Sequence, residues 1–564
     1  MPNKISLLFP NQSVKFSSLP DTIIHDIGMD NIISKLSGQQ NEQTYIKNVM
    51  KTVTADSETA MYRADIFDDL MKNKKMRDNI MVLLDRINFL KEYGSYKHDH
   101  DHDPGVWDLL HRLDEIHDYI DSIEALYNCL NDADLGSKGL TSLKEYVSDL
   151  YNDNCFGELQ KDISELKADT GNLKSVTVGI NLNERFEASG IGIVSINSKP
   201  FTKSNILSHF SDKITKNGGI KDTTEWSGDY HFEEFSAKNP IASNNTPVIP
   251  MFSPLAFMSL KAVSEADETT RSITNYMDDI TDKMLKSTVR HLRDVLSKYT
   301  MLTITDITDL MPEFIYYIRW VEYIEKLTAE GYIFCKPVVN KTPELSQRMD
   351  ANDVYNMKLI GSLPMSDIVV NNLIFDSEHS LYILTGANRG GKTTITQTIG
   401  QLFFMAQGGI YVTGSSFTYE PVDSIFTHFP ADEDKTMDLG RLGEECKRFK
   451  EIYGDATKSS LLLLNETFST TSFEEGYFIA KDCVKAILKK GIRTIYNTHM
   501  HKLAYDIDAI NDTSDSHKAA SLIVCSEGGN RSYEVKIAPP EGNSYANDIA
   551  QKYGVTLEQL TSNE

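Results

Sequence analysis

The sequence predicts an α/β protein in which a mainly helical region, residues 1–350, precedes a parallel-sheet domain, residues 351–564. The first observation is helical periodicity: apolar residues recur every three or four positions in stretches such as Ile80–Leu90. The second is a change to alternating β-branched residues between Ser175 and Ile196, which predicts a hairpin or small sheet within the helical region. The third is a series of short apolar strands after residue 380, separated by helix-forming segments.

Length and charge narrow the class of protein. The chain has 564 residues, so two or more domains are expected, and its net charge of −24 argues against coating nucleic acid by bulk charge, although a local basic groove stays possible. No apolar stretch approaches the roughly 20 residues that cross a bilayer, and Met1–Pro10 lacks the apolar core of a signal peptide. We expect a cytoplasmic protein with no membrane partner. Its six cysteines include no Cys-x-x-Cys pair, which favours buried reduced thiols.

Three further segments have simple interpretations. The alternating His98–Asp103 stretch could bind a metal, but a solvated loop is favoured because Pro-Gly follows and no second shell is evident. The polar stretch Lys203–Pro250 predicts a long irregular insertion. Apolar residues between Ile273 and Tyr299 predict one stripe of a long helix.

A phosphate loop follows the first apolar strand of the second region. Leu381–Leu384 runs into Thr385–Thr394, which contains Gly-x-x-x-x-Gly-Lys-Thr. In this setting the glycines let backbone amides surround phosphate, Lys392 reaches the terminal phosphates, and the Thr393 hydroxyl can bind Mg²⁺. The sequence therefore predicts an ATP and Mg²⁺ site. Its predicted nucleotide-binding residues in this loop are Gly386, Asn388, Gly390, Gly391, Lys392, Thr393 and Thr394.

Two later strands end in candidate catalytic residues. Ser460–Leu464 is followed by Asn465 and Glu466, and Arg493–Tyr496 leads to His499. Because parallel strands present their carboxyl ends to the ligand, Glu466 can reach the γ-phosphate and its attacking water. His499 can donate to the same phosphate, so Glu466, His499 and Lys392 are predicted to be catalytic.

These stretches together resemble the ATPase domain of the MutS family, whose nucleotide-binding fold is of the ABC type. The resemblance extends from about Asn356 to Leu560 and includes Thr498-His499. At lower specificity, the helical region resembles the core of the same family, whose levers run to a DNA clamp. The other stretches that carry the resemblance are Ile368–Phe375, Gly408–Val412, Glu420–Thr427, Asn465–Ser472, Gly542–Ala546, Thr54–Glu58, Tyr62–Leu70, Val176–Phe201 and Glu330–Pro337.

The resemblance implies further site residues, and the sequence departs from the family at some of them. Asn371 matches a family asparagine, and Ile368 stands where an aromatic residue commonly stacks on adenine. Asn465 replaces the aspartate that helps to hold Mg²⁺, so we expect slow hydrolysis. Gly440-Arg441 replaces Ser-Thr in the segment that reaches the partner subunit's nucleotide, and Arg441 either contacts that nucleotide or pairs with a neighbouring glutamate.

Two functions follow as hypotheses. The first is a DNA-associated ATPase that pairs head to tail as a homodimer through its ATPase domains and clamps DNA with its helical arms. We expect no mismatch-reading domain ahead of Ile46 and no nuclease domain after Leu560, so mismatch recognition is not expected. The second is an ATP-driven conformational switch that acts on a protein or ribonucleoprotein, which the −24 charge favours. Four Phe-x-Glu tripeptides, the family's wedge motif, begin at Phe156, Phe232, Phe449 and Phe473, all outside a reading-domain context.

Overall fold

A computed structural model describes the protein in two compact units. Unit 1 comprises Met1–Asp85, Asn128–Tyr146 and Asp306–Glu564, and unit 2 comprises Arg86–Tyr127 and Val147–Thr305. The predicted division into residues 1–350 and 351–564 stays a prediction. The structure describes residues 5–10, 13–94, 106–170, 175–182, 184, 188–197, 310–340, 347–376, 378–387, 390–430, 440–514, 516–527, 530–540, 551 and 553–561.

Helices dominate the described part of the first half of the chain, as the periodicity predicts. Helix α4 begins where the Asp56 carboxylate accepts a hydrogen bond of 2.8 Å from the Thr59 N–H, a typical N-terminal cap. A two-stranded antiparallel sheet joins β1 to β2. The elements are β1 (Ser17–Ser18), α1 (Asp21–Asp26), α2 (Asp30–Ile33), α3 (Gln40–Lys51), β2 (Thr52–Val53), α4 (Ser57–Lys72), α5 (Lys74–Gly94), α6 (Val106–Asn131), α7 (Lys138–Asn152) and α8 (Asn154–Thr170).

The predicted β-rich segment is an antiparallel hairpin in unit 2. Its strands are β3 (Ser175–Leu182) and β4 (Ala188–Asn197), with two irregularities in their register. The prediction of strands near residues 175–200 is therefore confirmed.

A six-stranded sheet forms the centre of unit 1. Its strand order is β12-β13-β14-β9-β15-β16; the first five strands are parallel and β16 is antiparallel. All three sequence-predicted strands belong to it, and Leu461–Leu464 are fully buried because helices cover the sheet. The remaining elements are α9 (Met311–Ala329), β5 (Phe334–Cys335), β6 (Pro337–Val339), β7 (Gln347–Val354), β8 (Asn371–Asp376), β9 (His379–Thr385), α10 (Lys392–Gln407), β10 (Val412–Thr413), β11 (Ser416–Tyr419), β12 (Ile425–His428), α11 (Gly440–Asp455), β13 (Leu461–Asn465), α12 (Phe473–Lys490), β14 (Arg493–Asn497), α13 (His501–Tyr505), α14 (Ile507–Asn511), β15 (Lys518–Glu527), β16 (Asn530–Ile537) and α15 (Leu557–Thr561).

Two smaller sheets complete the described β structure of unit 1. One has the order β6-β11-β7-β8, and the other pairs β5 with β10. β7 pairs with β8 so that Val354 lies opposite Asn371, the first residue of β8. This pairing places the end of β7 beside Asn371, at the start of β8.

Helix α10 is packed between the central sheet and the N-terminal helices. The Arg63 guanidinium of α4 is fully buried and donates hydrogen bonds to the carbonyl oxygens of Leu8 (2.8 Å) and Gln407 (3.0 Å). Gln401 of α10 donates to the carbonyl oxygen of Ile27 (2.8 Å). The helix that follows the phosphate loop is thus held along its length by residues far away in the chain.

Several predictions lie outside the described residues: those for His98–Asp103, Lys203–Pro250, Ile273–Tyr299 and Gly542–Ala546, and the role of Asn388. No disulfide joins any of the six cysteines, all of which the structure describes, but Cys155 is exposed and the other five are only partly buried. The expectation of buried thiols is therefore wrong for Cys155 and met only in part by the other five, while all six are free thiols as expected. Among the described residues, no helix is both long and apolar enough to span a membrane.

Candidate nucleotide-binding site

The phosphate loop connects β9 to α10, as the motif predicts. Gly386 and Gly391 have φ angles of +141° and +93°, a region of backbone space that side chains disfavour. A Cβ atom at Gly386 would lie 3.2 Å from backbone atoms of Val524, and one at Gly390 would lie 2.9 Å from the Ala387 carbonyl oxygen. Glycine is therefore required by both conformation and space. No described side chain caps the start of α10, so this helix N-terminus stays available to an anion.

Lys392 folds over the phosphate loop. Its Nζ donates hydrogen bonds to the carbonyl oxygens of Gly386 (3.1 Å) and Ala387 (3.0 Å). Burial lowers the pKa of Lys392, while the nearby Glu466 carboxylate acts in the opposite direction. The ammonium group is thus held where the loop would receive phosphate.

Thr393, Asn465 and Asn497 form a polar cluster beside the loop. The Thr393 hydroxyl donates to Asn465 Oδ1 at 3.1 Å, and Asn497 Nδ2 donates to the same oxygen. Asn465 and Asn497 are register partners at the carboxyl ends of neighbouring parallel strands. A hydroxyl and an amide oxygen are ligand types that Mg²⁺ accepts, so the donor set fits this cation when phosphate oxygens and water complete its shell.

Glu466 and His499 form the second polar pair of the site. His499 Nε2 lies 2.8 Å from Glu466 Oε1, and this hydrogen bond is the main reason that the pKa of Glu466 lies below its ordinary value. The Glu466 N–H donates to the Asn497 carbonyl oxygen at 2.9 Å, which ties the carboxylate to the neighbouring strand. The two residues that the sequence predicts from separate strand ends are brought together.

A cavity of about 630 Å³ collects most of the predicted residues. Its walls include Gly390–Thr394, Glu466, His499, Ile368 and Asn371. A cavity of this size falls in the range of small-molecule sites. Gly386, Asn465 and Arg441 are not among the described lining residues. Gly386 contributes its carbonyl oxygen to Lys392, Asn465 is bonded to the lining residue Thr393, and Arg441 is exposed at the start of α11.

The cavity also has walls that sequence reasoning missed. Tyr533 of β16 lines it opposite the loop, and Tyr355, Leu359 and Leu363 add an apolar side. Asn371 secures the β16 wall, because its Oδ1 accepts from the Val535 N–H at 2.8 Å and its Nδ2 donates to the Tyr533 carbonyl oxygen at 3.3 Å. No pattern around Tyr533 marks it in the sequence, since it reaches the site only through the pairing of β15 with β16.

Two known family profiles match this chain. Residues 382–560 match the profile described as MutS domain V, and residues 55–330 match the profile described as MutS2 N-terminal domain. The chain belongs to the MutS family. The first match includes the phosphate loop, Asn465, Glu466 and His499, so the predicted resemblance is confirmed. The cavity wall between Tyr355 and Asn371 precedes the matched segment.

Individual relatives of this MutS-family chain show the extent of the similarity. It is 27% identical over 194 residues to an endonuclease MutS2 of Thermus thermophilus, covering 34% of the chain and 25% of the relative. It is 33% identical over 177 residues to the DNA mismatch repair protein MutS of Chlorobaculum tepidum, covering 31% and 20%. The corresponding MutS of Lactobacillus delbrueckii subsp. bulgaricus is 27% identical over 229 residues, covering 40% and 26%. The matched segments thus span about a quarter or less of these relatives.

Proposed function

We propose that this chain binds ATP with Mg²⁺ and hydrolyses it in the cavity beside the phosphate loop. The observation that carries the proposal is the Glu466–His499 pair, joined at 2.8 Å and lining the same cavity as Lys392 and Thr393. The site combines a carboxylate, an imidazole, a buried ammonium group and an uncapped helix N-terminus. These are groups that bind and hydrolyse a nucleoside triphosphate.

Each residue has a distinct role in the proposed reaction. The Gly391 amide and the Lys392 ammonium bind the phosphates, and Thr393 with Asn465 would hold Mg²⁺. Bound Mg²⁺ would supply positive charge that offsets charge developing on the phosphate oxygens. Asn465 presents an amide where the family commonly presents a carboxylate, so its hold on the cation is weaker and turnover is slow.

Glu466 orients the attacking water through its carboxylate. Its lowered pKa keeps it ionised at neutral pH, so it can accept a hydrogen bond from water. His499 holds the carboxylate in place and can donate to the terminal phosphate from the same position.

Two substitutions separate binding from hydrolysis. Lys392→Ala should abolish ATP binding, because it removes the cation that the loop holds at the phosphates. Glu466→Gln should bind ATP and fail to turn it over, because the size is kept while the carboxylate is lost. Glu474→Gln makes the same chemical change at an exposed position of α12 and serves as the control. Titration with a fluorescent ATP analogue and a phosphate-release assay measure both steps; turnover in Glu466→Gln would remove Glu466 from its role.

We further propose an ABC-type arrangement in which two chains form a homodimer through their ATPase domains. Family membership supports it, since members share this mode of pairing, and the exposed position of Arg441 at the start of α11 leaves it accessible to a second chain. Sedimentation of the protein with and without ATP tests it: dimer formation that does not respond to ATP, or is absent, would contradict the proposal.

We also propose that the chain is a DNA-associated clamp that does not itself read mismatches. In the described residues, two Phe-x-Glu tripeptides cannot supply an inserting wedge, because Phe156 and Phe449 are only 4% and 7% exposed. Phe473 is 54% exposed but begins α12, which packs on the ATPase sheet. Inserting a side chain must offset an unstacking cost of about a few kcal/mol, which needs a rigidly presented aromatic residue.

Competition between matched and singly mismatched duplexes tests this proposal. We expect binding that weakens with salt and favours branched or flexible DNA, because backbone contacts dominate. A mismatch preference above about tenfold, or about 1.4 kcal/mol, would show that a reading element exists.

The net charge of −24 favours a second candidate, an ATP-driven switch that acts on a protein or ribonucleoprotein. Recovering bound partners from cells with ATP trapped on Glu466→Gln distinguishes the two. Protein or RNA without DNA would support the second candidate.

A further inference from the structure

A buried histidine joins the turn that carries Glu466 to helix α11. His428 is the last residue of β12 and is 2% exposed. Its Nδ1 lies 3.1 Å from Thr467 Oγ1, and its Nε2 lies 3.2 Å from the carbonyl oxygen of Glu445. Glu445 belongs to α11, whereas Thr467 directly follows Glu466 in the chain.

The chemistry of the neighbours fixes the tautomer of His428. Burial lowers the pKa of this imidazole to about 4, so it is neutral near pH 7. A carbonyl oxygen can only accept, so Nε2 carries the proton and donates to Glu445. Nδ1 therefore accepts, and the Thr467 hydroxyl is its donor.

The turn that contains Thr467 has a strained backbone. Glu466 and Phe468 have φ angles of +54° and +64°, which residues other than glycine rarely adopt. Two such residues flank Thr467. Conformations of this kind persist only where surrounding contacts enforce them.

Contacts from two sides hold this turn. On the β14 side, the Tyr496 hydroxyl donates to the Thr467 carbonyl oxygen at 2.9 Å, and the Asn497 carbonyl oxygen accepts from the Glu466 N–H at 2.9 Å. On the β12 side, the Thr467 side chain is bonded to His428. The His428 imidazole thus completes the contacts around Thr467, which lies between the two strained residues.

We propose that His428 is a positioning residue for ATP hydrolysis: through Thr467 it holds the strained turn so that the Glu466 carboxylate meets His499 in the cavity. The inference rests on the function proposed above. Among the described residues, neither His428 nor Thr467 lines the cavity, so their effect on the reaction passes through Glu466. Since His428 also bonds to α11, a shift of that helix would reach the carboxylate by the same route.

Paired substitutions test the hydrogen bond between the two side chains. His428→Gln places an amide N–H near the position of Nε2, so it keeps a donor for Glu445 and loses the acceptor for Thr467. Thr467→Val removes the same bond from the other side, together with a longer one of 3.4 Å from the Thr467 hydroxyl to the His428 carbonyl oxygen. Each variant should lower kcat about threefold to tenfold while leaving the Kd for ATP within about twofold, because the loss is one hydrogen bond that orients a catalytic group.

The double variant and two controls make the test specific. The double variant should be no slower than Thr467→Val, since that variant already lacks the contact that His428→Gln removes. Thr467→Ser keeps the hydroxyl and should restore kcat. Thr457 precedes the N-terminal end of β13, away from the cavity, and its hydroxyl bonds to Asp423. Thr457→Val removes this hydroxyl and should leave kcat unchanged.

The possible outcomes are distinct. Wild-type kcat in both single variants, fully additive losses in the double variant, or a parallel loss of ATP affinity would overturn the positioning role alone. A wild-type protein that binds ATP but never hydrolyses it would overturn the proposed function and this inference together.

Discussion

Gly476 lies where α12 approaches both catalytic segments, and its replacement by alanine gives the sharpest test of how the site is held. A Cβ atom at Gly476 would lie 2.5 Å from the Phe468 carbonyl oxygen and 2.9 Å from Met500 Cε. Phe468 is two residues after Glu466, and Met500 directly follows His499. Real Cβ atoms essentially never make contacts shorter than 3.0 Å, so Gly476→Ala must displace one or both segments.

The expected magnitude follows from two opposing terms. Overpacking a buried site costs about 1–3 kcal/mol, and the upper part of the range applies because one obstacle is backbone. Replacing glycine by alanine inside a helix returns about 1 kcal/mol. Gly454→Ala in α11 is a matched control, because no atom lies within 4 Å of its added Cβ. The gain is common to both variants, so the difference in the free energy of unfolding between them should be about 2–3 kcal/mol.

Urea denaturation and steady-state kinetics measure the two consequences. Bound ATP identifies the unfolding transition of the ATPase region, because it shifts that transition to higher urea. The urea midpoint of this transition should be lower in Gly476→Ala than in Gly454→Ala, and the dependence of the unfolding free energy on urea should be unchanged. The kcat for ATP should also fall in Gly476→Ala, since the backbone two residues after Glu466 is displaced, while ATP affinity should change less because the phosphate loop is untouched. Equal stability and equal kcat in the two variants would refute the reasoning.

Three further predictions concern the site. Asn465→Asp should lower the Mg²⁺ concentration for half-maximal turnover about fivefold or more, because a carboxylate adds a full charge where the amide offers a dipole; an unchanged Mg²⁺ titration would place Asn465 outside the cation's surroundings. His499→Ala removes the main cause of the low pKa of Glu466, so that pKa should rise, and the loss of activity as pH falls should begin at higher pH; an unshifted acid limb in the pH–rate profile would contradict the pairing. If Arg441 acts across a dimer, mixing Arg441→Ala with Lys392→Ala chains should recover part of the ATPase rate, because one of the two composite sites then keeps both groups; no recovery would count against action in trans.

Much of the candidate site could be predicted from sequence because its parts are contiguous. The phosphate loop is one short segment whose glycines, lysine and threonine act within the same turn, and Glu466 directly follows an apolar strand. Parallel strands place their carboxyl ends along one edge, so Glu466 and His499 could be expected near each other before their 2.8 Å contact was seen.

The limits of that reasoning appear where contacts join distant segments. Tyr533 lies 142 positions after Gly391 and faces it only because β16 returns beside β15. His428 and Thr467 are 39 positions apart, and neither belongs to a motif. The unfavourable φ angles of Glu466 and Phe468 could not be predicted either, since local preference opposes them and the surrounding hydrogen bonds impose them.

The sequence by itself determined the parallel-sheet segment, its phosphate loop and the residue types that could act on a nucleotide, because hydrophobic periodicity and short motifs are local properties of the chain. Only the tertiary structure decided which aromatic residue closes the cavity, that His428 bonds to Thr467, and that Gly476 must lack a side chain. These depend on strand register and on the close approach of a helix to two turns, and packing at that distance is set by all the neighbours at once.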